Sequence, residues 1–517
     1  VKLSALLEPI QDKKRVRPKE KGPVIDIDPE VSSIHYRSQT VRPGGVFVAI
    51  PGQTTDGHDF IDDAMSRGAV AIVAQHPINK HTVVIEVNNT RKALAAISSR
   101  FYAYPSMGLC IVGVTGTNGK TTTTYIIENI FARAGFNVGV IGTINYRYSG
   151  ETFDNPMTTP ESLDLQRILS EMAEHGVTHV VMEVSSHAID LCRVDDCWFD
   201  MGVFTNLSQD HLDFHNDMDT YWSCKKRLFT EMLASGPKRE HAVAVINCDD
   251  DKGNTLFHSY PLKKISVGSS KDVMIGSRRF KSDLNGVSGV ISIFHKDMAF
   301  NSSLVGGYNI ENILCAVGTG IALNLSPNII RAGIADTACI PGRLEFIPND
   351  SGKLVCIDYA HTPGALENVL RALWVLKTKK IICVFGCGGD RDKLKRSQMG
   401  EIAGRLCDLS VITTDNPRTE APMEIIRQIE KGAQKASSHF YTLSELEAGL
   451  NQVGYIIEPD REKAVQLGIR VAGSEDIVLI AGKGHETYQI IKDKTIPFDD
   501  KKVAENALCN NPEAGLS

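Results

Sequence analysis

No run of about 18 apolar residues occurs in the sequence, so no membrane-spanning helix is expected. The opening stretch "VKLSALLEPI" lacks the long apolar core of a signal peptide, and a cytoplasmic chain is expected. No Cys-x-x-Cys occurs. The 12 cysteines are scattered, and Cys383 and Cys387 have no second pair at zinc-site spacing. Several sit inside strand-like runs, as Cys110 and Cys356 do, which points to buried free thiols in a reducing compartment. An excess of positive charge is also missing. The formal net charge of -6 gives no global field that would recruit nucleic acid or an anionic membrane. The cluster "KKRVRPKEKG" is short and holds a glutamate, and reads as a solvated loop. There is no internal repeat and no low-complexity tract.

What is present is ordinary globular material, 42% hydrophobic and 23% charged. The 517 residues suggest about three domains at roughly 150 residues each. Residues 1–106 carry short apolar runs ("GGVFVAI", "GAVAIVA", "TVVIEV") between helix-like segments, which predicts a small α/β domain. "AYPSMG" (103–108) reads as a linker. Residues 107–340 alternate continuous apolar strands with helices, the pattern of a mainly parallel sheet covered on both faces. Around 270–300 the polar alternation predicts a small antiparallel insert. Residues 341–517 read as a Rossmann-like α/β domain whose strands end in polar or glycine-rich loops, where such sheets present ligand sites. The tail "CNNPEAGLS" reads as frayed.

The strand "LCIVGV" runs into "TGTNGKTTTTYIIENIFARAG". Gly116 and Gly119 permit a tight loop, and the N–H groups of Gly116, Thr117, Asn118 and Gly119 can cradle phosphate oxygens. Lys120 supplies charge for the β/γ-phosphates of ATP, and Thr121, followed by Thr122, offers a hydroxyl to Mg²⁺. The helix that follows adds its N-terminal dipole and ends at Gly135. The strict phosphate-loop pattern wants glycine at 114, where this chain has Val114, so the loop is a variant. "HVVMEVSSH" ends a strand in Glu183, a carboxylate able to hold Mg²⁺ directly or through water. "FTNLSQDHLDFH" places Asp210 and His211 after another strand.

Together these residues resemble the Mur ligase family, ATP-dependent amide-forming enzymes of peptidoglycan precursor synthesis. The resemblance rests on "GTNGKTTT", "EVSSH", "TNLSQDHLDFH", "YNIENILCA", "PGRLE" and "DYAHTP", in order over nearly the whole chain. "TTPESLDLQ", "FGCGGDRDKLKR", "DNPR" and "GKGHETYQ" resemble the branch that adds the third residue of the peptide. The resemblance implies a UDP-substrate domain, a central P-loop ATPase domain and an amino-acid domain. It implies phosphorylation of the γ-carboxylate of UDP-MurNAc-L-Ala-D-Glu by ATP, then attack by an amine on the acyl phosphate. It implies catalytic roles for Lys120, Lys225, His211 and Arg343, and Mg²⁺ at Thr121, Glu183, His211 and a carbamylated Lys225. The neighbouring Lys226 is the other candidate for that modification. Asn312, Arg343, Asp358 and His361 resemble the ATP contacts. Ser38, Gln53, Thr54, Thr55, Thr158, Thr159, Ser185 and Arg193 resemble the UDP-substrate contacts. The family often has glutamine two residues before that arginine, and this chain has Leu191. Family precedent implies a monomer.

The strand "LSVITT" ends in Asp415, Asn416, Pro417 and Arg418. By the resemblance this segment, with Arg391, Gly482 and Glu486, holds meso-diaminopimelate. That amino acid differs from lysine by a distal carboxylate, which an arginine fork can bind bidentately. A lysine-adding enzyme, or another amide ligase of the superfamily such as the folylpolyglutamate type, is the alternative.

Overall fold

The computed structural model describes residues 1–16, 28–52, 55–78, 80–377, 379–437 and 439–509. Most of the basic cluster, the tail after Cys509, and the candidate substrate residues Gln53 and Thr54 lie outside the described residues. The strands fall into three large sheets that follow one another along the chain, with a small hairpin near the end.

The first sheet has Gly45–Val48, Ala71–Ala74 and Val83–Glu86 side by side and parallel, with Ser33–His35 at one edge and Lys14–Val16 antiparallel at the other. Its three inner strands are apolar on both faces because both faces are covered. The helix Thr90–Phe101, capped by the Asn89 side chain on the Arg91 and Lys92 N–H groups, packs on it. The "AYPSMG" segment is a wedge rather than a loose linker. Pro105 and Ser106 are buried, Ser106 Oγ accepts the Trp198 N–H at 3.2 Å, and Tyr104 stacks on Trp198.

The central sheet has eleven strands, with Cys110–Thr115 in its interior. It is parallel to His179–Glu183 on one side and to Met201–Phe204 on the other, in a register that pairs Val114 with Glu183 and Thr115 with Phe204. Three strands therefore end at one level on one edge. The antiparallel strands Ile275–Asp283, Gly286–Ile293 and Lys296–Ser302, where the sequence pattern suggested a small antiparallel insert, extend this same sheet. The reason is their buried face: Ile275, Val287, Ile291 and Phe300 share a core with the helix Lys120–Arg133. Val114 is buried in that core, inside the strand and not in the loop.

The third sheet runs Glu345–Ile347, Leu354–Asp358, Ile477–Ala481, Ile381–Phe385, Leu409–Ile412, Gly454–Ile457, parallel except for the first strand. The late strand Ile477–Ala481 lies between two early ones, which brings Gly482 and Lys483 beside Asp358 and Asp415. No helix among the described residues is long and apolar enough to cross a membrane. The twelve cysteines are free, most of them buried.

Candidate active site

The phosphate loop is held by the neighbouring strand end. Asn118 N–H donates to Asn206 Oδ1 at 2.9 Å, Thr205 Oγ1 donates to the Asn118 carbonyl at 2.7 Å, and Thr117 Oγ1 donates to the Ser208 carbonyl. Gly119 has φ +84°, and a Cβ there would lie 2.1 Å from Asn312 Oδ1. The loop thus needs glycine both for its turn and for room. Lys120 folds back on the Gly116 and Thr117 carbonyls at 3.0 and 2.8 Å, and burial lowers its ammonium pKa. Thr121 and Thr122 open the helix that follows.

Lys225 reaches the same loop from another direction. It stands in the last turn of the helix Met218–Arg227, before the π-helical turn Leu228–Leu233. Its Nζ donates to the Gly116 carbonyl at 2.8 Å and lies over the Tyr221 ring. It is fully enclosed, and burial, then the Lys120 charge, push its pKa well below the ordinary lysine value. Lys226 is only partly buried.

Glu183 is 1% exposed. Its two oxygens accept from the Thr143 N–H and Thr143 Oγ1, both at 2.9 Å, and Thr143 Oγ1 also meets Thr158 Oγ1 at 3.1 Å. Thr159 Oγ1 donates to the Glu183 carbonyl and accepts the Ser185 N–H. Arg193 donates to the Thr159 carbonyl at 3.2 Å. The candidate acid and the candidate substrate contacts Thr158, Thr159, Ser185 and Arg193 are thus one bonded chain. Leu191, the departure from the family pattern, ends the short helix that precedes Arg193. Ser38 is buried in a 3-10 turn of the first domain, and Thr55 is exposed.

His211, at φ +55°, sets its Nε2 3.3 Å from Asp210 Oδ2 and its ring against His187. Burial pushes its pKa down to about 3. A neutral imidazole can ligate a cation. Thr121, Glu183 and His211 supply one hydroxyl, one carboxylate and one imidazole. That fits Mg²⁺ held mainly by nucleotide phosphates and water. Among the described residues, no cluster of His, Cys, Asp or Glu could hold a metal alone.

A cavity of about 650 Å³ extends from the phosphate loop to the third domain. Asn309 and Asn312 face it beside Val305, Tyr308, Phe346 and Pro348, apolar walls with a few polar groups, as a purine base requires. Arg343 Nη2 donates to Thr121 Oγ1 at 2.9 Å, and its guanidinium lies over the Tyr359 ring. Asp358 turns to the backbone: its oxygens accept the Leu344 and Ala360 N–H groups, both at 2.7 Å, and burial raises its pKa to about 6. His361 donates through Nδ1 to the Tyr359 carbonyl at 2.8 Å and borders the cavity.

The amino-acid side has two loops stitched together. Arg396, fully buried, binds Glu420 with both terminal nitrogens and the Gly388 carbonyl. Glu420 accepts the Asp390 N–H, and Asp390 accepts from Thr419. A Cβ on Gly389 would lie 1.9 Å from the Pro417 carbonyl oxygen, so the "DNPR" turn rests directly on "GCGGD". Arg418 Nη1 donates to the Gly389 carbonyl at 2.8 Å. Burial and the charge of Arg391 lower its pKa. Neither Arg391 nor Arg418 pairs with a carboxylate among the described residues. Two neighbouring guanidinium groups in that condition could receive an anion. Beside them, Lys483 is enclosed and bonded to Glu486 at 2.9 Å and to Asn416 at 3.2 Å, with Asp415 at 3.7 Å. Burial would raise the Asp415 pKa, but the Lys483 and Arg461 charges hold it below its ordinary value.

Sequence reasoning missed Thr143, Lys483 and Glu161. Glu161 is buried, with one oxygen 3.0 Å from Arg91 Nη1 and 3.5 Å from Arg193 Nε. Arg91 also donates to the Pro51 carbonyl inside the first domain, so its pair with Glu161 ties the second domain to the first. Lys483 lies inside the quoted "GKGHE", between two glycines, a signal that could have been used.

Residues 30–102 match the Mur ligase family catalytic domain, 114–320 the Mur ligase middle domain, and 342–484 the Mur ligase glutamate ligase domain. The chain belongs to the Mur ligase family. It is 46% identical to a UDP-N-acetylmuramoyl-L-alanyl-D-glutamate--2,6-diaminopimelate ligase of Geobacter metallireducens, over 95% of this chain and 96% of that one. It is 39% identical to the ligase of the same name from Geobacillus thermodenitrificans, over 93% and 95%. A solved structure of a ligase of that name matches with TM-score 0.63 at 27% identity, covering 93% of this chain and 95% of that one. The ADP complex of the MurF ligase from Thermotoga maritima shares the fold, with TM-score 0.61 at 20% identity over 92% and 96%.

Proposed function

We propose that this protein joins meso-diaminopimelate to the D-Glu γ-carboxylate of UDP-MurNAc-L-Ala-D-Glu, with ATP cleaved to ADP and phosphate. The observation that carries this reading is the pair Arg391 and Arg418, without a carboxylate partner among the described residues, in a chain of the Mur ligase family whose relatives bear that name.

A carboxylate is a poor electrophile at neutral pH. Its oxygen attacks the γ-phosphorus, the bond to the β-phosphate oxygen breaks, and ADP leaves with the electron pair. The amine nitrogen then attacks the acyl carbon, the bond from that carbon to the bridging oxygen breaks, inorganic phosphate leaves with the electron pair, and the nitrogen's surplus proton passes to the departing phosphate or to water. Lys120 turns from the loop carbonyls to the phosphates, where negative charge is spread in the transition state. Arg343 leaves the Thr121 hydroxyl for the γ-phosphate. Thr121, Glu183, His211 and a carbamylated Lys225 would hold Mg²⁺, which would supply charge neutralisation at the phosphoryl oxygens. Burial shifts Lys225 toward the neutral amine, the form that adds to CO₂. Asn312 and the apolar walls seat the adenine. Ser38, Thr55, Thr158, Thr159, Ser185 and Arg193 hold the UDP-sugar peptide, with Glu161 orienting Arg193.

At the other end, Arg391 and Arg418 take the distal carboxylate of diaminopimelate, Asp415 and Glu486 face its ammonium, and Asn416 and Gly482 offer amide groups. Lysine would leave the arginines unpaired. Residues 1–106, 107–340 and 341–517 serve as UDP-substrate, ATPase and amino-acid domains. The protein works as a cytoplasmic monomer.

The test is phosphate release from ATP and Mg²⁺ with UDP-MurNAc-L-Ala-D-Glu, run with meso-diaminopimelate, L-lysine or no amine. Release with diaminopimelate alone is expected. Release with lysine instead would refute the role of Arg418, and release with no amine would refute the ligase.

A further inference from the structure

Arg343 is held by little hydrogen bonding for a group with its role. Its Nη2 donates to Thr121 Oγ1, but its Nε is buried without a partner, and no carboxylate pairs with it among the described residues. A long side chain without an ion pair keeps many rotamers, and ordering it is entropically unfavourable. Something besides an ion pair keeps this guanidinium at the nucleotide side.

The Tyr359 ring is the group in place. Tyr359 follows the strand Leu354–Asp358 and lines the same cavity as Arg343, Thr121 and His361. Arg343 Cζ stands over the ring, 4.6 Å from its centroid. Two more rings close on it, His361 at 4.6 Å and His485 at 5.1 Å between centroids. The backbones are closer still. Tyr359 N–H donates to the Gly342 carbonyl at 2.8 Å, and Gly342 immediately precedes Arg343. A Cβ on Gly342 would lie 2.2 Å from the His485 nitrogen, and one on Gly484 would lie 2.7 Å from Tyr359 Cβ. The segments carrying Arg343, Tyr359 and His485 thus rest directly on one another, which fixes the ring relative to the start of the arginine. Among the described residues the Tyr359 hydroxyl has no hydrogen bond, so the ring face is what Tyr359 offers its neighbour.

We infer that Tyr359 is a positioning residue, whose ring keeps the Arg343 guanidinium within reach of the phosphoryl group. The assignment rests on the ligase reading above. The hydrogen bond to Thr121 is directional and is lost when the arginine moves to the γ-phosphate. The attraction between a cation and a ring face is broad, so the guanidinium can shift across the ring without leaving it. Tyr359 touches no reacting atom and acts only through Arg343. Two other roles are open to the same ring. It could contact diaminopimelate, since Gly484 and His485 adjoin Glu486, or it could simply fill space. The experiment separates all three.

Tyr359→Leu and Tyr359→Phe are made in the wild type and in Arg343→Ala, and all are compared in the phosphate-release assay. Thermal midpoints and KM for each substrate are measured in parallel. For Tyr359→Leu alone, kcat is expected to fall about 5–30-fold, the size of a cation–π attraction, with KM for diaminopimelate within about threefold of wild type. Tyr359→Phe keeps the ring face and is expected to regain most of that loss. In the Arg343→Ala background, Tyr359→Leu is expected to lower kcat by no more than about twofold further, because the ring then has nothing to hold. A packing role would lower kcat equally in both backgrounds. Should Tyr359→Leu fail to fold, Tyr359→Met takes its place in the cycle. Unchanged kcat in the folded variant, a loss independent of Arg343, a loss in Tyr359→Phe as large as in Tyr359→Leu, or a loss confined to KM for diaminopimelate overturns the assignment alone. A wild type inert with every amine overturns the ligase reading and this assignment with it.

Discussion

Arg343 donates to the Thr121 hydroxyl at 2.9 Å, a bond between residues 222 positions apart and in different domains. The same hydroxyl is the candidate Mg²⁺ ligand. A guanidinium and a divalent cation repel, so the arginine must leave when metal and nucleotide arrive, and the γ-phosphate is the anion it can move to. Arg343→Ala is therefore expected to lower kcat by about 10²–10³-fold while nucleotide affinity changes only a few-fold. Steady-state kinetics beside equilibrium titration with a non-hydrolysable ATP analogue checks this. A large loss of affinity with kcat intact would contradict it.

Arg418→Ala should lose kcat/KM for diaminopimelate by about 10⁴-fold or more, since the distal carboxylate would face an incomplete site. The KM for ATP should hold. Equal losses for both substrates would rule out the specific role.

Lys225 should need CO₂. Burial favours the neutral form of its enclosed amine, and a carbamate there would add an anionic oxygen ligand beside Glu183. Activity is expected to fall in buffer stripped of bicarbonate and to return when bicarbonate is added. Lys225→Ala should show no such response. Bicarbonate-independent wild-type activity would contradict the modification.

Glu420 gives a pH dependence with a definite sign. Hydrogen bonds from Arg396 hold its carboxyl at about 2, below the ordinary 4.5, although partial burial acts the other way. The folded state therefore gains stability from this group above pH 4.5 and loses it as the pH falls toward 2. Urea midpoints measured across that window should drop more steeply for wild type than for Glu420→Gln. Parallel curves would remove Glu420 from the account.

Gly389→Ala places a methyl group 1.9 Å from the Pro417 carbonyl oxygen, so the two amino-acid loops must part. The expected result is weaker diaminopimelate binding together with a lower thermal midpoint, read by calorimetry and KM. A variant indistinguishable from wild type in both would show that the loops separate freely.

The phosphate loop was legible in sequence because its demands are local: a strand, two glycines, a lysine and a helix in immediate succession. Glu183 and His211 were legible as strand ends, and parallel register then brought them to the loop. Thr143 was not legible, because its value lies in touching Glu183 and Thr158, which depends on which strands are neighbours. Lys483 was hidden for a related reason. The strand before it inserts between two earlier strands, an order that no local pattern records. Glu161 reads as an ordinary helix-start acid until Arg91 and Arg193 arrive from opposite sides. The antiparallel strands after Ile275 were legible in their pairing, while their attachment to the central sheet, through the pairing of Val267 with Ile275 and their buried faces, left no local mark in the sequence.

The carboxamide of Asn312 occupies the space that a side chain at Gly119 would need. Shortening residue 312 would make room for alanine at 119 but would leave the positive φ that glycine alone carries without strain. The position is therefore closed twice over, and alignments of descendants should keep glycine at 119 whatever stands at 312.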